Sequence, residues 1–305
     1  MNACLKLKRK DTEETPFMKN GRMLLEERIA LFNGKCNPIR FFSAMELSTA
    51  TNNYDASRLV SVKKFNIDHS PLTRYEDIFK DVVIGSNMSI HKNVLKLLGC
   101  CLETQWPTLV YGYVGHKNLF ACIRDRVDCL SRYHKCRVRI AMGIANAVAY
   151  LHTTFSRPFV HRDIQSSVII LDENNVPKMV DFSLSLPIPE GQGLKTGFLA
   201  PDFCITGNFT EKDDVYCFGG ILLVLLAGWM LNTNSTTYSE GHLLGWVNAG
   251  YEQRLIEIVD PELLKESVDQ QQFLTFANLA LSCISNKRED RPTITNVGKT
   301  TQPDL

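Results

Sequence analysis

The chain has 305 residues, 44% of them hydrophobic and 22% charged, with a formal net charge of +1. That length can bury one large core or two lobes, and the near-zero charge excludes a global pull toward nucleic acid or an anionic membrane. Ten cysteines over such a length are no small disulfide scaffold, and with Cys100-Cys101 the only adjacent pair and no CxxC, a zinc site is not expected.

The N-terminus, Met1-Asn2-Ala3-Cys4-Leu5, lacks the apolar run of a signal peptide. Asn2 rules out N-myristoylation; the cysteines are read as reduced thiols, so a cytoplasmic location is expected. Cys4 beside Lys6, Lys8, Arg9 and Lys10 has two readings. One is an acylated basic anchor giving peripheral contact with the plasma membrane; the other is a solvated tail. Residues 1–20 are polar and mixed in charge, hence expected to be mobile. Over residues 21–33, Met23, Leu24, Ile29, Leu31 and Phe32 interleave with Arg22, Glu26, Glu27 and Arg28. That predicts a short amphipathic helix, stopped by Gly34 with Pro38 beyond. A second helix over residues 41–53 starts at Ser43, with Glu46 completing a capping box. Apolar runs at residues 60–65 and 94–98 predict strands on either side of a helix at 75–86, and a further strand is expected at 108–113.

From residue 133 the pattern is helical, with Ile140, Ile144, Val148 and Leu151 on one face. Residues 168–171 and 176–180 flank Asp172-Glu173-Asn174-Asn175, a hairpin signal. Beyond residue 205 the chain is helical in pattern. Residues 215–231 carry no charge and reach the lower length limit for a bilayer span. Gly219, Gly220 and Gly228 and the lack of a basic flank favour a helix buried in a core instead.

Several ordered segments carry a family resemblance. They are Phe42-Ser43-Ala44-Met45-Glu46-Leu47 through Ala50-Thr51-Asn52-Asn53-Tyr54, Leu97-Leu98-Gly99-Cys100-Cys101-Leu102-Glu103 and Leu109-Val110-Tyr111. His161-Arg162-Asp163, Asp181-Phe182, Ala200-Pro201 and Asp214-Val215-Tyr216 follow in order. Over about residues 41–297 the chain resembles plant receptor-like cytoplasmic kinases of the wall-associated-kinase-like branch. The run Gly34-Lys35-Cys36-Asn37-Pro38-Ile39-Arg40 is more specifically similar to the HopZ-ETI-deficient-related pseudokinases. The resemblance implies an α+β, two-lobe kinase-like fold with a truncated β-rich N-lobe and a mainly helical C-lobe. The implied parts are an N-terminal extension at 1–40, the N-lobe at 41–113 and the C-lobe at 114–305.

The chemistry of phosphoryl transfer is positioning plus charge stabilisation, and each part has a place to be sought. A glycine-rich phosphate roof belongs ahead of the strand lysine, yet residues 55–62 contain no glycine and are too few for two strands of about five residues and a turn. The strand lysine is Lys63 or Lys64, with two surface lysines as the alternative. Its helical partner in the best register is Asp81, where the family has Glu. Asp is one methylene shorter, so a stretched pair or a plain surface carboxylate is expected. Asp163 keeps the position of the catalytic base. Gln165 stands where such kinases place a phosphate-contacting Lys, and Val168 where an Asn would hold Mg²⁺. Asp181 is a degenerate Mg²⁺ position, since a single carboxylate makes a poor octahedral site. Ser183 replaces the glycine of D-F-G and stiffens that hinge. Asp202 stands for the Glu of A-P-E, with Arg291 as its expected structural partner. Thr196, Ser183 and Ser185 are candidate phosphorylation sites, with Arg162 as the counter-charge; an unmodified loop is the alternative.

The resemblance implies a catalytically inactive adaptor in plant innate immunity. Its partners would be a nucleotide-binding leucine-rich-repeat receptor and effector-modified receptor-like cytoplasmic kinases, with no nucleic acid and no cofactor. The rival is a weak ATP- and Mg²⁺-dependent serine/threonine kinase using Lys63, Asp163 and Asp181. A third reading, the product of a truncated gene, expects poor solubility from an uncovered sheet edge.

Overall fold

The computed structural model describes residues 14–53, 61–65, 74–114, 117–125, 134–188, 200, 209–228, 259–261, 263 and 270–300. They form a small lobe built on one four-stranded sheet and a larger helical lobe. The first helix, α1 (Pro16–Phe32), starts earlier than its apolar pattern predicts. Thr15 caps it, with its hydroxyl accepting from the Met18 amide, and Pro16 supplies a preset φ at the first turn. Asn33 and Gly34 end it in the left-handed region, at φ 51° and 78°, where their amides return to Ile29 and Arg28. Residues 14–20 are therefore ordered, contrary to the expectation of a mobile tail. The reason is tertiary: Asn20 is fully buried and its amide donates to the carbonyls of Leu102 and Thr104 at 2.9 and 3.0 Å.

Strand β1 (Arg40–Phe41) runs into α2 (Ala44–Thr51). The capping box forms as predicted, with Glu46 N donating to Ser43 Oγ at 3.1 Å and Ser43 N to Glu46 Oε2 at 2.8 Å. Then come β2 (Ser61–Lys63), α3 (Tyr75–Met88), β3 (Leu97–Cys101) and β4 (Thr108–Tyr111). The sheet order is β1-β3-β4-β2, with β1 parallel to β3 and the other pairs antiparallel. The strand predicted at 94–98 lies C-terminal to its apolar run, at Leu97–Cys101. Val94 instead bridges to Met179, because Leu95 N donates to the Met179 carbonyl and Met179 N to that of Asn93. Gly99 is dictated by packing: a Cβ there would collide with the Arg40 carbonyl oxygen. Residues 54–60, where a glycine-rich roof was sought, lie outside the described residues. Among the described residues, no strand pairs with the outer edge of β2.

The large lobe follows with α4 (Leu119–Arg124), α5 (His134–Thr153), β5 (Phe159–Val160), β6 (Ile169–Leu171), β7 (Pro177–Met179) and β8 (Leu186–Pro187). After them come α6 (Glu211–Ala227), α7 (Gln270–Cys283) and α8 (Ile294–Thr300). Ile140, Ile144, Val148 and Leu151 are buried on one face of α5, as their spacing predicts. Strands β6 and β7 pair antiparallel across Asp172-Glu173-Asn174-Asn175. Asp172 Oδ1 accepts from the amides of Asn174 and Val176, and Asn175 takes φ 60°. Residues 215–227 of the uncharged stretch that could pass for a span belong to α6, whose residues Asp213 through Ala227 are all buried; residues 229–231 lie outside the described residues. Thr210 and Asp213 cap it, and no helix among the described residues is long and apolar enough to cross a membrane.

Candidate functional site

The site lies where the two lobes meet. Lys63 ends strand β2 and is partly buried, while Lys64, one residue on, is exposed. Helix α3 buries Ile78, Asp81, Val82 and Gly85 on one face, so Asp81 shares the apolar stripe. The Asp81 side chain is 1% exposed, which overturns the reading of it as a surface carboxylate. Lys63 Nζ donates to Asp81 Oδ2 at 2.7 Å and approaches Asp181 Oδ1 at 2.9 Å. The shorter side chain does not stretch the pair. Helix α3 lies directly against the segment at 181–183, and Asp81 Oδ1 also accepts the Phe182 amide at 2.9 Å. Tyr111 reaches the same carboxylate at 3.5 Å.

The large lobe supplies the remaining groups. Arg162 and Asp181 both sit at positive φ, 72° and 66°, an uncommon conformation for such residues. Asp214 of α6 holds the first of these turns: its carboxylate accepts the amides of His161 and Arg162 at 2.7 and 2.9 Å and lies 2.8 Å from His152 Nε2. The second turn is closed by Ser183, which donates to Asp181 Oδ1 through its hydroxyl at 2.6 Å and its amide at 3.3 Å. Ser183 thus does more than stiffen the hinge; it ties down the carboxylate. Gln165 Nε2 donates to Asp163 Oδ1 at 2.8 Å. Val168 is buried at the end of a single 3-10 turn (Ser166–Val168) and packs in the large core.

The charges divide accordingly. Burial pushes Asp81 above the ordinary carboxylate range, against the pull of Lys63. Burial would lower Lys63, but the two carboxylates outweigh it and hold the ammonium above its usual value. Burial opposes ionisation of Asp181 as well, yet Lys63 and the Ser183 donors hold it below the usual range. Asp163 is raised, by burial first, with the Asp181 charge adding to it and His161 and Gln165 opposing. A general base works best unencumbered and poised near the operating pH; this one has an oxygen already engaged.

A kinase metal would need Asp181 together with an oxygen ligand at the position of Val168. Val168 offers only methyl groups, and Asp181 Oδ1 already receives Lys63 and Ser183. These residues do not fit a Mg²⁺–nucleotide, and among the described residues no cluster of His, Cys, Asp or Glu is arranged to hold a metal. Of the residues singled out in the sequence, Lys63 and Asp181 lie 2.9 Å apart, and Asp163 is close enough to feel both charges. Sequence reasoning missed the burial of Asp81, whose signal was an ionisable residue on the Ile78–Val82–Gly85 stripe. Arg291 is buried, donates to the carbonyls of Ser285 and Lys212, and lies 3.8 Å from Asp213. Asp202 and Thr196 lie outside the described residues, as do Cys4 and its basic neighbours. Ser185 is buried, and Arg162 stacks 4.1 Å from the Phe209 ring centroid.

Comparison with known proteins agrees with this geometry. Residues 41–300 match the family described as protein tyrosine and serine/threonine kinase. The chain is 37% identical to Arabidopsis thaliana "Non-functional pseudokinase ZED1", over 90% of this chain and 91% of that protein. It is 35% identical to "Serine/threonine-protein kinase ZRK1" of the same plant, over 96% of this chain and 93% of that protein. It is 33% identical to "Wall-associated receptor kinase-like 4", also from Arabidopsis thaliana, over 92% of this chain and 40% of that longer protein. With the lobes, the catalytic-loop turn and the lysine–aspartate contact all in place, the chain belongs to the protein tyrosine and serine/threonine kinase family, beside ZED1, the ZRK proteins and the wall-associated receptor kinases.

Proposed function

We propose that this protein is a catalytically inactive pseudokinase that works as an adaptor in plant innate immunity. It bridges a nucleotide-binding leucine-rich-repeat receptor and effector-modified receptor-like cytoplasmic kinases, without a cofactor of its own. One observation carries the inactive part of this reading. The groups that would handle metal and proton are engaged with each other: Asp181 Oδ1 with Lys63 and Ser183, and Asp163 Oδ1 with Gln165. The names of two relatives, "Non-functional pseudokinase ZED1" and "Non-functional pseudokinase ZRK2", support it.

The adaptor part is supported by exposed apolar surface on the small lobe. Phe17, Met18, Leu25 and Ile29 of α1 are exposed, as are Phe41 and Met45. A groove of about 600 Å³ runs between α2 and the sheet, lined by Phe42, Met45, Leu47, Leu98 and Val110. Contiguous apolar surface of this kind marks protein contacts.

A weak serine/threonine kinase is the second reading, favoured by the intact 2.7 Å Lys63–Asp81 contact and by the name of ZRK1. Thermal unfolding with and without millimolar Mg²⁺-ATP separates the two. Ligand at 100 times its Kd adds about 2.7 kcal/mol, which would raise Tm by roughly 4–8 °C. The expected shift is none, together with receptor capture that needs no ATP. A rise of that size, with autophosphorylation lost in Asp163→Asn, would establish the kinase instead.

A further inference from the structure

We infer that Lys63 is the resident counter-ion of this site: it takes the charge role of a metal and holds the lobes together without nucleotide. The inference rests on side-chain geometry and the poor fit for Mg²⁺, not on the adaptor role. Lys63 belongs to the small-lobe sheet, Asp81 to α3 and Asp181 to the large lobe, and one ammonium contacts both carboxylates at 2.7 and 2.9 Å. Asp81 also accepts the Phe182 amide, so helix and large lobe are joined directly as well as through the ammonium. The Asp81 side chain is 1% exposed and that of Asp181 is 32% exposed. Two carboxylates so placed repel each other strongly unless a cation lies between them. In a working kinase, nucleotide-bound Mg²⁺ supplies much of that charge at the Asp181 position. Here Asp181 Oδ1 receives Lys63, Ser183 Oγ and Ser183 N. Lys63 and a divalent cation therefore compete for one carboxylate, and the side chain, being tethered, holds the place.

A consequence follows for the variant that lacks the ammonium. Lys63→Met removes the ammonium from between Asp81 and Asp181, and a divalent cation can then supply the missing charge. The test is thermal unfolding of wild type and Lys63→Met in chelator, in millimolar MnCl₂, in millimolar CaCl₂ and in NaCl at matched ionic strength. The wild-type midpoint should not respond to either metal. Lys63→Met should melt lower by roughly 5–10 °C, the usual consequence of removing one partner of a buried ion pair. It should recover much of that loss in Mn²⁺ or Ca²⁺, not in NaCl, and Lys63→Met with Asp181→Asn should lose the recovery. Soluble protein obtained only in the presence of a divalent cation would support the inference equally. An unchanged midpoint in Lys63→Met would overturn it, as would recovery in NaCl, no recovery in metal, or a wild-type rise matching the variant's. Should Lys63→Met not fold under any condition, Lys63→Arg decides. It keeps the charge and should stay indifferent to metal, and a metal-dependent rise in it would overturn the inference. Because metal is added without ATP, the outcome is separate from that of the Mg²⁺-ATP measurement.

Discussion

The Asp214 carboxylate gathers three donors, from His161 N, Arg162 N and His152 Nε2, at 2.7, 2.9 and 2.8 Å. Burial alone would raise its pKa, but the His152 contact, the nearby His161 and the backbone amide hold it below the usual carboxylate range. A group lowered in the folded state contributes stability above its unfolded value near pH 4, and that contribution disappears as pH falls through the folded value. Asp214→Ala should therefore cost about 3–5 kcal/mol near neutrality, because it strands buried donors and releases the Arg162 turn. The difference in stability between wild type and variant should shrink below about pH 4, read by chemical denaturation across pH. Asp81 and Asp163, both raised by burial, contribute in the opposite sense. The wild-type–variant difference isolates Asp214 from them.

Among the elements, β1 is short and parallel, and it exists because β3 accepts it. Arg40 pairs with Gly99 and Phe41 with Cys100, and the ladder continues as Phe42 N donates to the Cys100 carbonyl at 3.0 Å. A Cβ at position 99 would strike the Arg40 backbone and lie 2.8 Å from the Phe42 ring. Gly99→Ala should displace β1, cost roughly 1–3 kcal/mol as an overpacked site does, and increase amide exchange at Phe42. Unchanged exchange at Phe42 would show that β1 does not depend on the close approach. The capping box of α2 was legible from Ser43 and Glu46 alone, because both partners lie within one turn. Nothing local announces β1, since its hydrogen bonds go to residues some sixty positions away.

At the scale of the whole molecule, α1 touches both lobes. Its N-terminal part is fixed to the small lobe through Asn20 and Leu24. Phe32, at its other end, stacks on Phe159 at 5.3 Å and meets Phe155 edge-on at 5.2 Å, both in the large lobe. This aromatic contact thus joins the lobes alongside the Lys63–Asp81–Asp181 triad, the Asp81–Phe182 hydrogen bond and the Val94–Met179 bridge. Phe32→Ala should lower stability by about 2–4 kcal/mol. Combined with Lys63→Met it should lower stability by a different amount from the sum of the single changes, because both act on one lobe contact. Simple additivity in denaturant titrations would show that the two contacts hold separate units.

Sequence by itself announced helices at 41–53, at 75–86 and from 133, found at 44–51, 75–88 and 134–153, the hairpin at 168–180, found at 169–179, and the order of the catalytic motifs. Each of these is written in local periodicity, caps or fixed spacing. It also fixed that Val168 and Gln165 stand where kinases place Asn and Lys, because identity at a motif position needs no coordinates. Only the tertiary structure decided that Asp81 is buried on Lys63, that residues 14–20 are ordered, and that Ser183 occupies the Asp181 carboxylate. The reason is the same in each case. A carboxylate or amide on a polar–apolar boundary acquires its role from groups that the chain brings back from far away, and a local pattern carries no record of them.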